Sequence, residues 1–156
     1  MCNEVCKFND GMAVNRSMNI WLIIAGVLSA IAAFLHLGCI YFGAQWYRFF
    51  GAGEHMAMLA EQGSIEPVLI TAAIASVLFT WSLYAFSAAG LIVKLPLIRT
   101  ALLLITLIYL VRGAAGFMLI QHPMGRSPDF WVWSSLICLS FGVVHLIGLK
   151  KQWKNL

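Results

Sequence analysis

The chain has 156 residues, 62% of them apolar and only 10% charged, with a formal net charge of +4. Soluble domains carry about 25% charged residues, so this composition excludes an ordinary water-facing surface and points to lipid as the solvent. The basic residues sit between apolar blocks, and the chain has no Gly-rich phosphate loop, basic recognition helix or low-complexity tract, so nucleic acid is not an expected partner.

Residues 1–18 form a mixed, polar amino-terminal segment with Lys7 and Arg16. The apolar block behind it is too long for the core of a secretory signal. Cys2 and Cys6 lie four apart in a segment expected to face the reducing cytoplasm, and two further ligands for a metal are missing.

The first apolar block runs from about 20 to 41. A helix needs about 20 residues to cross about 30 Å of hydrocarbon at 1.5 Å per residue. Ala25, Ser29 and Ala33 form a small-residue stripe that suits close helix contact. His36 lies about 7 to 8 Å inside the far end of this helix. "HLGC" ahead of Cys39 is a poor lipoprotein site, because His36 stands where an aliphatic residue is wanted and apolar sequence resumes after the cysteine.

The first loop holds Arg48 and "GAGEHMAMLAEQG". Met56, Leu59 and Ala60 fall at helical spacing, with Glu54 and Glu61 turned elsewhere, so a short amphipathic helix lying on the bilayer is predicted. The second span covers about 67–89, opened by Glu66 and Pro67 and stopped by Gly90. Ala72, Ser76 and Thr80 are its expected packing stripe. A compact loop with Lys94 leads to the third span, about 95–120, which contains Arg99 and Arg112. A loop with His122 and Arg126 precedes the fourth span, about 130–149, and residues 150–156 form a basic tail. The predicted fold is an all-α integral membrane four-helix up-and-down bundle.

Four crossings put the amino-terminal segment, the second loop and the tail on one side. That side holds seven basic residues, Lys7, Arg16, Lys94, Arg99, Lys150, Lys151 and Lys154, against Arg48 and Arg126 opposite. The positive-inside rule then places both termini in the cytoplasm, with a bacterial cytoplasmic membrane as the default. Tyr41, Phe42, Trp46, Tyr47, Phe130, Trp131 and Trp133 mark the outer interface, and Trp21, Tyr84 and Trp153 the inner one.

Arg112 lies about 12 Å inside the outer limit of the third span. An arginine at the centre of a membrane helix costs about 2.5–3.5 kcal/mol on insertion scales. Either its side chain snorkels to the interface, or it faces the bundle and pairs with Glu54, Glu61, Glu66 or Asp129. His36, Arg48, Glu54, His55, Glu66 and Arg112 are therefore the candidates for one outward-facing cluster that binds a ligand or forms ion pairs.

No cofactor or metal is expected. His36 and His145 are the histidines inside spans, and about 16 Å of depth separates them, far beyond the reach of one haem iron. Three functions remain: a non-enzymatic interaction or accessory subunit, a small oligomeric transporter or channel for an anion or proton-coupled solute, and an enzyme using the same cluster. The last lacks a visible nucleophile–base pair. The small-residue stripes are read first as packing within the chain and only second as an oligomer interface; beside the bilayer, a homo-oligomer or a larger membrane complex is the partner considered.

Overall fold

A computed structural model of the chain describes residues 18–121 and 125–154. Lys7, Arg16, Cys2, Cys6 and His122 lie outside the described residues. Six helices follow in order: α1 (Ile20–Phe42), α2 (Ala44–Phe49), α3 (Glu54–Glu61), α4 (Glu66–Ala89), α5 (Ile98–Met118) and α6 (Pro128–Gln152). The four long ones, α1, α4, α5 and α6, are apolar and long enough to span a membrane. The protein is an all-α integral membrane bundle, with α2 and α3 capping one end.

Local chemistry sets the helix limits. Asn19 caps α1 by accepting from the Trp21 and Leu22 backbone N–H groups, and its own amide donates to the Gly148 carbonyl at 2.8 Å. The start of α1 is thereby tied to the end of α6. α5 begins at Ile98 rather than near residue 95, after Pro96 and a left-handed Leu97 with φ of 53°. The buried Ser87 hydroxyl holds this loop, donating to the Val93 carbonyl and accepting from the Leu95 N–H. α6 starts earlier than expected because Ser127 caps it and Pro128 takes its first turn. It also continues into the basic tail, where Lys150 and Lys151 suit the negative end of the helix dipole.

Each long helix packs against antiparallel neighbours. α1 pairs closely with α4, and α5 with α6; α1 also meets α6, and α4 meets α5 more lightly. Glycines allow the close approaches. A Cβ on Gly113 would stand 2.9 Å from the Leu139 backbone nitrogen, and one on Gly142 would stand 3.1 Å from that of Leu110. α5 and α6 thus interlock by backbone contact from both sides. The Ala25, Ser29 and Ala33 stripe of α1 is buried, as expected.

The expected stripe of α4 is not the packing face. Ser76 and Thr80 are exposed, each hydroxyl donating to the carbonyl four residues earlier. Thr71, Ala75, Leu78, Ser82, Ala85 and Ala89 face the bundle instead. In lipid both faces of a helix are apolar, and a hydroxyl satisfied by its own helix sits on either.

The middle of the bundle is filled by Tyr109. Its ring lies 4.9 Å from that of Trp81, 5.5 Å from Phe141 and 5.2 Å from His145. Its hydroxyl is 3.0 Å from the Ser29 hydroxyl, linking α5 to α1 across the diagonal. This buried hydrogen bond contributes roughly 1 kcal/mol.

Candidate functional site

The polar side chains gather at the α2–α3 end, in two groups. The first is built on the short helices. After Gly43, which turns the chain at a φ of 69°, α2 lays Tyr47 inward. The Tyr47 hydroxyl donates to the Pro67 carbonyl at 3.2 Å and lies as close to the Thr71 hydroxyl, fixing α2 to the start of α4. α3 buries Ala57 fully against Tyr47 and Cys39. Met56, Leu59 and Ala60, the expected apolar face, flank it half-buried, while Glu54 and Glu61 are exposed.

Arg48, in the last turn of α2, takes both of those carboxylates. Its Nη2 donates to Glu54 at 2.6 Å and its Nη1 to Glu61 at 2.6 Å, with further contacts through Nε. Glu54 opens α3 and Glu61 closes it, so one guanidinium clamps both ends of the helix. The Arg48 hydrogen bonds hold both carboxyl groups below their ordinary range, and the carboxylates push the guanidinium up. All three side chains stand in solvent, where such contacts set geometry more than they add stability. Two carboxylates against one guanidinium leave the group with excess negative charge.

The second group lies between α5 and α6. Arg112 is half-buried, its Nη2 donating to the Ser134 hydroxyl at 3.0 Å and its guanidinium 5.2 Å from the Trp131 ring. Arg126 lies over Phe130 at 4.8 Å and over the same Trp131 at 5.7 Å. The Arg112 Nη1 and the Ser135 hydroxyl are buried with no hydrogen-bond partner. Burial, and then the charge of Arg112, pushes the Arg126 guanidinium below its ordinary value. A carboxylate partner for Arg112 was one of the two expectations from sequence, the other being a side chain that snorkels to the interface. Among the described residues the ion pairs are Arg48–Glu54 and Arg48–Glu61, and Arg112 meets a hydroxyl and an indole face instead.

The six expected site residues therefore do not form one cluster. Arg48 and Glu54 come together, with Glu61 added. Arg112 joins Trp131, Ser134 and Arg126. His36 turns to its own helix, its Nδ1 2.7 Å from the Ala32 carbonyl. His55 is exposed on α3. Glu66 is exposed at the start of α4, where a carboxylate suits the helix dipole. Ser134 and Ser135 escaped the sequence reading, because nothing in a linear chain says which α6 residues stand level with Arg112.

A shallow cleft of about 260 Å³ separates the two groups, lined by Arg48 and Glu54 on one side and by Gly125, Arg126 and Ser127 on the other. Gly53 is required at its floor, with a φ of 102° and the Gly125 carbonyl 3.4 Å from where its Cβ would be. Among the described residues no set of three metal-ligating side chains converges, and Cys39 and Cys138 are free thiols.

Fold and polar groups together define a multi-pass integral membrane protein with a folded, charged cap over one end of its bundle. No protein family, curated protein or solved structure matches the chain.

Proposed function

We propose that the chain is a non-enzymatic interaction or accessory subunit, and that the α2–α3 cap is the surface it offers to a larger membrane partner. The observation that carries this reading is the cap itself. Tyr47 and the Arg48 clamp hold it in one shape, while Phe49 at 82% exposure stands out from α2 and Tyr41 at 83% from the adjoining last turn of α1. Large apolar rings on an ordered polar surface are the usual material of an interface. The Tyr109 packing supports the same reading, since rings occupy the place where a conduit through one chain would run.

The cap is assigned to the outer face of a bacterial cytoplasmic membrane, with both termini cytoplasmic. The support is the basic excess on the opposite end, where Arg99 covers Trp153 and Lys151 covers Trp21 at an aromatic belt. Reporter fusions at each terminus test this orientation, and opposite locations for the two would overturn it.

Native co-purification in mild detergent tests the function. A stoichiometric membrane partner is expected with the unaltered chain and is expected to be lost with Phe49→Glu or Tyr41→Glu. Anion transport by an oligomer is the competing reading, favoured by the two cations on Trp131. Recovery of the chain without a partner, together with proteoliposome anion flux abolished by Arg112→Gln, would establish it instead.

A further inference from the structure

We propose that Arg112, Arg126 and Ser135 form a binding site for a phosphate-bearing anion between α5 and α6, at the α2–α3 end of the bundle. The site is independent of the accessory role argued above.

Three observations converge on it. The first is the pair of unsatisfied groups. The Arg112 Nη1 and the Ser135 hydroxyl are both buried without a partner, and Ser135 is fully enclosed at 0% exposure. Both flank one point beside Gly116: a Cβ there would collide with the Ser135 hydroxyl and lie 3.0 Å from Nη1. Buried donors in proteins are nearly always satisfied, and an unpaired charged donor is the costliest of them to leave. That point is itself too crowded for any further atom, but it puts the two groups close together on the α5–α6 seam, where one acceptor beyond the glycine contact can reach both.

The second is charge. Arg112 and Arg126 approach the same indole, at 5.2 and 5.7 Å from its centroid, so two positive charges border one ring. Of the four carboxylates expected as partners, Glu54 and Glu61 are committed to Arg48, and the exposed Glu66 and Asp129 make no ion pair with either arginine among the described residues. Burial, and then the nearby charge of Arg112, lowers the Arg126 guanidinium from its ordinary value. A bound anion would remove that repulsion.

The third is chemistry and depth. Guanidinium forks match the oxygens of a phosphate, and a hydroxyl supplies one further donor. Arg112 lies six residues inside the end of α5 at Met118, about 9 Å by helical rise. Trp131 stands beside it in the opening turns of α6, and indole rings mark the headgroup level of a bilayer. Arg126 also lines the open cleft, so the site borders water as well as lipid. The phosphate can therefore come from a lipid headgroup or from a soluble ion.

Native mass spectrometry of the full chain in phosphate-free neutral detergent tests the proposal. Phosphatidylglycerol, diacylglycerol and inorganic phosphate are each titrated separately. Saturable binding of one phosphatidylglycerol, with none of diacylglycerol, assigns a lipid phosphate. Saturable binding of inorganic phosphate alone assigns a soluble one. In either case Arg112→Gln and Arg126→Gln should each weaken binding about tenfold or more, the loss expected for a charged hydrogen-bonding partner. Ser135→Ala should weaken it a few-fold, and Arg99→Gln, at the far end of the bundle, should leave it unchanged. Arg126 lies in a loop, so its variant keeps the test open should an Arg112 variant fail to fold, with circular dichroism as the check. Absence of binding in both phosphate arms, or binding that Arg126→Gln and Arg112→Gln leave intact, overturns the site.

Discussion

Arg48 and Arg112 are the same side chain at the same end of the same bundle, in two solvents. Arg48 stands in water and has collected two carboxylates, each reached at 2.6 Å. Arg112 is half-buried between helices and has one hydroxyl, one indole face and a buried Nη1 with no partner. The better satisfied arginine is the one that needs it less, because water would have solvated Arg48 in any case. The position of Arg112 costs stability, and a residue that costs stability inside a membrane protein is a pointer to function.

The largest effect should come from the seam that holds Arg112 in place. Gly116→Ala drives a methyl group into the Ser135 hydroxyl. It should destabilise the bundle by about 1–3 kcal/mol, the usual range for overpacking, read by thermal unfolding in detergent. A neutral outcome would mean that α5 and α6 are not in this register.

Arg112→Leu should act in the opposite direction. It removes a partly unpaired charge and fills the space with apolar atoms, so the chain should gain about 1–2 kcal/mol in phosphate-free detergent. The same variant should lose phosphate binding, and that divergence sharpens the contrast with Arg48. A clear loss of stability in that detergent would show that Arg112 has a strong partner after all.

A smaller effect is expected from pH at the cap. Arg48 holds the Glu54 and Glu61 carboxyl groups below the ordinary value of 4.5. Their contribution is therefore fully present above that value and is lost as the pH falls through the lower, folded values. Hydrogen exchange of α3 amides should accelerate in that acid range, while α5 and α6 stay protected. Acid loosening of α5 and α6 at the same pH would contradict the division into two groups.

Arg48→Gln should produce the smallest change in overall stability, within the scatter of a thermal unfolding measurement, since the three side chains are exposed. It should still free α3 locally, visible as faster exchange of the α3 amides. A large global loss would show that the cap and the bundle unfold as one unit.

The two groups also differ in how legible they were. The four spans could be read from the chain because length and apolarity are what a bilayer demands of any helix that crosses it. Glu66–Pro67 and Gly90 marked the limits of α4 correctly. The start of α6 was missed by two residues, although Ser127 followed by Pro128 is an ordinary helix-opening signal. The short α3 was legible from its amphipathic spacing. The inward face of α4 was not, since Ser76 and Thr80 satisfy their hydroxyls within the helix and lie outside the packing.

The partners of Arg112 were the larger miss. Carboxylates are few in this chain, and a search for opposite charge returns them whatever their position. Arg48 lies six residues before Glu54, and that short connection favours it in any competition for the carboxylates. Ser134 meets Arg112, and Ser135 comes level with it, only through the glycine seam of α5 and α6, where Gly113 meets Leu139 and Gly142 meets Leu110. Such a register is a sum of backbone contacts between distant segments and has no linear signature.

Solvent preference is an additive property of side chains, so the number of crossings, their rough limits and the amphipathic α3 could be read along the chain, whereas α2 was not expected. Facing is not additive. Which stripe of α4 turns inward, which guanidinium takes the glutamates and which is left over all depend on how closely helices pack once they are side by side. Close packing is decided by shape in three dimensions, and in lipid no polar stripe announces it beforehand.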